Sequence, residues 1–311
     1  MNKRPLGRSG IDIAPLVFGG NVFGWTVDKA TSHALLDRFV AAGLDAIDTA
    51  DVYSRWVPGN QGGESEAIIG DWLAASPRRR DQVVIITKVG SDKGLAGKRV
   101  LEAAEASLRR LRTDRIDVYL AHKPDARTPI DETLRAFEQL MQQGKVRAIG
   151  SSNDTPAQLR QALDVAARQD LPRFEVQQPE YNLYDRGGYE GALRDRCIAE
   201  GLGVITYYSL ASGFLSGKYR SSDDLKLSVR GAGVRRYLDA RGVRILAALD
   251  EVARAHAAKP AEVALAWLIA REGVTAPIAS ATSIEQLESL VRATELTLAP
   301  EEIERLTAAS D

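Results

Sequence analysis

Short runs of near-continuous apolar residues alternate along this chain with longer stretches whose apolar positions recur every three to four residues. The short runs are Leu16–Gly20, Ala46–Ala50, Val83–Lys88, Ile116–His122, Val146–Asn153, Phe174–Gln178, Val204–Tyr208 and Ala276–Ala281. Apolarity of this length suits strands buried on both faces, as in a parallel sheet. Between the runs the period becomes helical. Leu101, Leu108 and Leu111 mark one apolar face, and Leu134, Phe137, Leu140 and Met141 mark another. Thr155-Pro156 has the form of a helix start, a capping hydroxyl followed by a first-turn proline. Strands alternating with helices eight times over predict an α/β fold, a (β/α)8 TIM barrel. Arg4–Leu6 and Ile11–Ile13 flank Gly7–Gly10 and predict an N-terminal β-hairpin that plugs the bottom of the barrel. Extra C-terminal helices complete the expected architecture.

The competing arrangement is an open, doubly wound sheet. Its dinucleotide fingerprint is missing, because no G-x-G-x-x-G follows any of the runs. A P-loop is missing as well: Gly213 to Lys218 has the wrong spacing and is followed by Tyr219. No linker or short repeat divides the chain, so residues 1–311 are expected to form one domain. The longest irregular stretch, Ala211–Leu238, is rich in Gly, Ser and Arg, and loops of such length are usually functional. Arg78-Arg79-Arg80, after Pro77, reads as a solvated loop.

Composition narrows the class. With 41 basic and 42 acidic residues among 311, the formal charge is -1, and no basic footprint for nucleic acid stands out. The first residues, MNKRPLGRSG, are polar, and no segment approaches the roughly 18 apolar residues of a membrane span. The single cysteine, Cys197, has no partner for an internal disulfide and suits a reducing compartment. A cytoplasmic protein with neither a membrane nor a nucleic-acid partner is expected.

The candidate chemistry lies where polar residues close apolar runs. Asp48, Lys88 and His122 end three of them, Asn153 and Gln177 stand at the ends of two more, and Tyr208 ends another. Each has a plainer use: a turn cap for Asp48, solvation for Lys88, a hydrogen-bonded core residue for His122, core filling for Tyr208. In a (β/α)8 barrel, however, all C-terminal strand ends open on one face, the face that carries active sites. That shared position weakens the plainer uses together. His33 and His256 fall within helical stretches and read as structural.

At these residues the sequence resembles the aldo-keto reductase superfamily over essentially its whole length. Asp48-Thr49-Ala50-Asp51-Val52-Tyr53 is similar to the family's D-T-A-x-x-Y segment, and Ile86-Thr87-Lys88 to its strand-three lysine motif. Leu120-Ala121-His122-Lys123-Pro124-Asp125 resembles the family's L-x-H-x-x-D run. The likeness implies that Asp48, Tyr53, Lys88 and His122 are catalytic. It implies that Ser152, Asn153 and Gln177 grip the nicotinamide carboxamide, that Tyr208 stacks on the nicotinamide, and that Ser209, Leu210, Gly213, Leu215, Gly217 and Lys218 hold the pyrophosphate. Gly20 is a further implied cofactor contact. Free tyrosine ionises near pH 10, and a cation beside it favours phenolate, so Lys88 is expected to lower the Tyr53 pKa. Tyr53 then serves as general acid for reduction and base for oxidation, with His122 orienting the substrate oxygen. No metal is implied.

The chain departs from the family near its C-terminus. Many relatives place a cation in the loop after strand eight, against the 2′-phosphate of NADP. This chain has Ser280, Thr282 and Gln286 there, and Ser289-Leu290 where relatives often have Glu-Asn. Arg230, in Ser228-Val229-Arg230-Gly231, is the cation expected to replace it, ahead of Arg235 and Arg236. The resemblance thus implies NADP(H) as the favoured cofactor, with NAD(H) as the alternative. Trp25 and Trp56, in the loops after strands one and two, are expected to line the pocket of a small carbonyl or hydroxyl substrate. An aldose dehydrogenase, or a cofactor-binding regulatory subunit like the potassium-channel β-subunits that resemble this family, are the alternative functions.

Overall fold

Residues 2–311 are described by a computed structural model. The hairpin forms as expected: β1 (Arg4–Pro5) pairs antiparallel with β2 (Asp12–Ile13). Eight parallel strands then close a barrel. They are β3 (Val17–Gly19), β4 (Ala46–Asp48), β5 (Val84–Val89), β6 (Ile116–Ala121), β7 (Val146–Ser152), β8 (Val176–Gln178), β9 (Gly203–Thr206) and β10 (Ala276–Ala279), with β10 returning to pair with β3. Helices follow the strands: α1 (Lys29–Ala41), α2 (Glu64–Ala74), α3 (Pro77–Gln82), α4 (Gly97–Leu111), α5 (Ile130–Gln142), α6 (Pro156–Gln169) and α7 (Ala192–Glu200). After β9 come short 3₁₀ turns, the one-turn α8 (Gly231–Val234), and then α9 (Ala240–Ala255) and α10 (Pro260–Ala270). The chain ends with α11 (Ile284–Ala293) and α12 (Pro300–Ala309). Besides the short α3 and α8, two helices exceed one per strand: α12 lies beyond the last barrel unit, α9 sits before β10, and the two pack together.

Why these residues fold this way is visible locally. Thr155 caps α6 with a reciprocal box: its hydroxyl accepts from the Gln158 amide at 3.3 Å, and the Gln158 side chain accepts from the Thr155 amide at 2.9 Å. Both faces of the strands are covered. Val17, Ala46, Ile86, Val118, Leu120, Ala148, Val176, Ile205 and Ile278 fill the barrel interior, and a second, larger core lies between barrel and helices. Leu6, Ile11 and Ile13 of the hairpin belong to the interior cluster, which closes the barrel floor. Two glycines let the hairpin seat there. A Cβ on Gly7, held at φ +64°, would stand 2.6 Å from the Gly203 nitrogen, and one on Gly203 would stand 2.6 Å from the Gly7 nitrogen.

The arginine run departs from expectation. Arg78–Arg80 belong to α3 rather than to a loop, with Pro77 at the helix start. Arg80 is buried, and its guanidinium donates to Asp117 at 2.7 Å, to Thr113 at 2.9 Å and to the Arg115 carbonyl at 2.9 Å. It ties α3 to the start of β6. Such a role needs a carboxylate far away in sequence.

Candidate active site

Side chains alternate across a strand, so the interior residues fix which polar residues crown the barrel. Counting on by two from Ala46, Ile86, Leu120, Gly150, Val176, Ile205 and Ile278 gives Asp48, Lys88, His122, Ser152, Gln178, Tyr207 and Ser280. Lys88 is fully buried at the centre. Its Nζ donates to Asp48 Oδ2 at 2.7 Å, to the Thr49 carbonyl at 2.8 Å and to Tyr53 Oη at 2.9 Å. An ammonium has three hydrogens, and all three are used. Tyr53 Oη in turn donates to Asp48 Oδ2 at 3.2 Å, and Gln178 Nε2 donates to Asp48 Oδ1 at 2.8 Å. The His122 ring stands edge-on to Tyr53, centroids 6.1 Å apart, and its Nδ1 is buried without a partner.

Electrostatics reverse one expectation. Burial, reinforced by the Asp48 carboxylate, holds the Tyr53 phenol well above its ordinary pKa rather than below it. Burial also pushes the Lys88 ammonium down, against the opposing pull of Asp48. His122 is pushed down to about 3, by burial first and then by Lys88 and Lys123, so its imidazole is neutral.

Beside this group the end of β7 is tightly cross-linked. Ser152 Oγ donates to the Gln178 carbonyl at 2.7 Å, and Asn153, at φ +66°, donates from Nδ2 to the His122 carbonyl at 2.9 Å. Gln177 takes the other side of the strand: its Oε1 accepts from Ser151 Oγ at 2.9 Å, away from the mouth. The tyrosines divide likewise. Tyr207 continues the inward alternation, and its hydroxyl donates to Asn153 Oδ1 at 2.7 Å. Tyr208 leaves the strand at φ +54° and is 50 % exposed, with its ring 5.4 Å from that of Tyr207.

The segment after β9 forms a strap. Ser209 Oγ donates to the Thr206 carbonyl at 2.9 Å and fixes its start, while Leu215 is buried and Leu210 packs on the core. Ala211, Ser212 and Gly213 have successive positive φ values of 48°, 58° and 94°, and Gly217 has 78°. Two of these turns close on themselves, since the Ala211 amide donates to the Tyr208 carbonyl at 2.7 Å and the Gly213 amide to the Leu210 carbonyl at 2.8 Å. Lys218 Nζ lies 4.9 Å over the Tyr219 ring, close to Gly213. Gly20, also buried, is packed so closely that a Cβ would stand 2.9 Å from Ser65 Oγ. Across the mouth, Ser280 Oγ contacts both the Gly19 carbonyl and Asn21 Oδ1 at 2.7 Å. Thr282 and Gln286 are bonded to each other, with the Thr282 amide donating to Gln286 Oε1 at 2.9 Å. Trp25 meets Trp56 edge-to-face at 5.6 Å, and Trp56, 50 % exposed, stands 6.1 Å from Tyr53. Arg230 lies with its guanidinium carbon 5.0 Å over the Trp25 ring, and among the described residues no hydrogen bond joins it to Thr282 or Gln286.

The sequence profile of the aldo/keto reductase family matches residues 15–311. The chain belongs to that family. A probable voltage-gated potassium channel subunit beta of Oryza sativa subsp. japonica is 33% identical over 99% of this chain and 96% of its own length. An uncharacterised oxidoreductase of Bacillus subtilis is also 33% identical, over 94% of this chain and 91% of its own. An L-glyceraldehyde 3-phosphate reductase of Escherichia coli O157:H7 is 29% identical over 98% of this chain and 91% of its own.

As an aldo/keto reductase this protein is an oxidoreductase, and enzymes of the family generally work with NAD(P)H. Two positions in its mouth differ from those expected. Gln178 rather than Gln177 faces Asp48, and Tyr207 rather than Tyr208 continues the inward row. Strand parity is the signal that finds them, once Val176 and Ile205 are known to face inward. The neutral His122 has a consequence for acid stability. The unfolded chain takes up this proton near pH 6.5, and the native chain only near pH 3. Between those values stability falls as pH drops, by about 1.4 kcal/mol per pH unit for one fully differential proton. Urea unfolding at pH 7, 6, 5 and 4 is expected to show a shallower acid slope for His122→Gln than for the wild type. Parallel slopes would place a protonated imidazole in the native site.

Among the described residues, no helix is long and apolar enough to cross a membrane.

Proposed function

We propose that this enzyme reduces a small aldehyde or ketone to the alcohol, with Tyr53 donating the proton to the carbonyl oxygen. The observation that carries this reading is the complete use of the Lys88 ammonium. With its three N–H bonds committed to Asp48, Thr49 and Tyr53, Lys88 has none left for a substrate. The mobile proton beside it is that of the Tyr53 hydroxyl, which can turn from Asp48 to a carbonyl oxygen at the mouth. As the proton departs, the Lys88 N–H bond to the phenol oxygen strengthens and stabilises the phenolate left behind. Asp48, fixed at one oxygen by Gln178 and at the other by Lys88, holds the ammonium in place. A neutral His122 suits donation of a hydrogen bond to the same carbonyl without supplying the proton.

A bound nicotinamide dinucleotide supplies the hydride. The residues present fit such a group. Lys218, close to Gly213 on the strap, offers a cation for a pyrophosphate. Asn153 and the ring of Tyr207 lie at the mouth, where a carboxamide and a nicotinamide face are to be held. We favour reduction over aldose oxidation because Tyr53 is held protonated, the form that reduction uses. The complete set Asp48, Tyr53, Lys88 and His122 favours turnover over a purely binding role. A carbonyl panel assayed with both NADPH and NADH tests the proposal, and absence of turnover with every member would overturn it.

A sharper expectation separates the neighbouring glutamines. Gln178→Leu removes a hydrogen bond to a buried carboxylate, worth about 1.5–3 kcal/mol, and is expected to lower kcat on the order of tenfold or more. Gln177→Leu is expected to leave kcat within a factor of about two, since among the described residues its Oε1 meets Ser151 and its buried Nε2 bonds to nothing. The reverse ranking in steady-state rates would restore the sequence-based choice of Gln177.

A further inference from the structure

Asp51 is a buried carboxylate with no part in the proton transfer at Tyr53. Its side chain is 6% exposed, and Oδ2 meets Arg99 Nη2 at 3.3 Å, while Oδ1 is buried with no partner. Arg99 Nε is likewise buried without one. A single ion pair thus leaves one acceptor and one donor unmet, and each unmet group is unfavourable. The Tyr119 hydroxyl is a third such group, with Asp51, Glu66, Arg99 and Arg110 as its charged neighbours.

Asp51 and Arg99 line a cavity of about 200 Å³ between the loops after β4 and β5 and helix α4. A buried water needs only about 10–15 Å³ of such space, so the cavity has room for an oxyanion together with water. Its charge is uneven. Arg55, Lys93, Arg99 and Arg110 line it against Asp51 and Asp92, four cations to two carboxylates. Arg55 pairs with Asp92, and Arg110 turns to Glu66 at 2.6 Å. The surplus positive charge therefore lies with Lys93, on the exposed rim, and the open donor is Arg99 Nε.

This polarity selects a ligand. Surplus cations favour an anion, yet an ionised carboxylate oxygen only accepts. Burial raises the Asp51 pKa to about 6, so at pH 7.5 the accepting form faces the cavity. The ligand must then carry a proton donor of its own beside its negative charge. Inorganic phosphate does so, because it keeps an O–H at neutral pH. Sulfate has the same tetrahedral shape and no O–H to give.

We infer that this cavity is a binding site for inorganic phosphate, with one oxygen accepting from Arg99 Nε and the P–OH donating to Asp51 Oδ1. Lys93 closes the rim over it. The inference does not depend on the role of Tyr53. The site lies behind the segment that carries that residue: Val52 lines the same cavity, and the Asp51 amide donates to the Lys88 carbonyl at 3.2 Å.

The test is isothermal titration calorimetry at pH 7.5 on the protein saturated with oxidised NADP, which fills the places where the cofactor's own phosphates bind. We expect one phosphate per chain, with sulfate at least about tenfold weaker, since it leaves a hydrogen bond to a charged group unmade. Asp51→Asn offers an amide N–H where the carboxylate oxygen stood, and should bring sulfate to within about threefold of phosphate. Lys93→Gln should weaken phosphate by roughly three- to tenfold while NADP affinity is unchanged. Absence of phosphate binding leaves the cavity to water and overturns the proposal. So does equal affinity for phosphate and sulfate in the wild type, or phosphate affinity indifferent to Lys93→Gln, which puts the anion elsewhere. An Asp51→Asn protein that folds and still rejects sulfate overturns it too. If that variant does not fold, the wild-type comparison and Lys93→Gln decide.

Discussion

Tyr53→Phe is expected to lower carbonyl reduction by about 10²- to 10⁴-fold, the usual contribution of a positioned general acid. The loss should appear in kcat, while the Kd of the cofactor changes little, because the ring remains and only the hydroxyl is gone. The variant also strands one N–H of Lys88, which donates to that hydroxyl at 2.9 Å. An unpaired buried donor costs about 1–3 kcal/mol, so a modest fall in unfolding free energy should accompany the catalytic defect. Rapid mixing of cofactor-loaded enzyme with aldehyde separates the two effects. A single-turnover rate within a factor of about two of the wild type would remove Tyr53 from the role of proton donor. Burial lowers the ammonium and, with Asp48, raises the phenol.

Lys88→Met is expected to have the largest combined effect. Lys88 is fully buried and Asp48 nearly so, and the change leaves the carboxylate without its cation. Removing one partner of a buried ion pair typically costs about 3–5 kcal/mol. Reduction should fall together with stability, since a phenolate at Tyr53 would lose the Lys88 N–H that donates to it at 2.9 Å. A second substitution distinguishes folding from chemistry. Adding Asp48→Asn to Lys88→Met removes the uncompensated charge and should recover much of the stability in urea unfolding, with activity still absent. If activity returns along with stability, the pair serves the fold and not the proton transfer.

The architecture could be read from the sequence because strands covered on both faces leave little room for polar side chains. Asp48, Lys88 and His122 stood out against such runs, and all three meet at the crown of the barrel. The hairpin was legible too, since Gly7–Gly10 separates two short apolar flanks. What escaped was parity. Phe174-Glu175-Val176-Gln177-Gln178 offers two identical amides, and the choice is made by pairing: Val176 lies opposite Gly150 and Gly203, which turns Gln178 inward. Tyr207 and Tyr208 pose the same problem with two aromatic rings. Arg80 escaped for a different reason, because Asp117, which separates it from its neighbours Arg78 and Arg79, comes 37 residues later. The direction of the Tyr53 shift was hidden as well. A motif places a cation beside the phenol but carries no measure of how much water is excluded from both.

The seated hairpin has a bearing on the order of events in turnover. Leu6, Ile11 and Ile13 fill the floor, and the paired glycines draw the chain against it, so among the described residues that end of the barrel is closed. Cofactor and substrate would then share the mouth at the other end, and if one settles beneath the other it has to arrive first and depart last. Traffic of this kind gives a compulsory-order rate law, in which the outer product is released before the inner one can be exchanged.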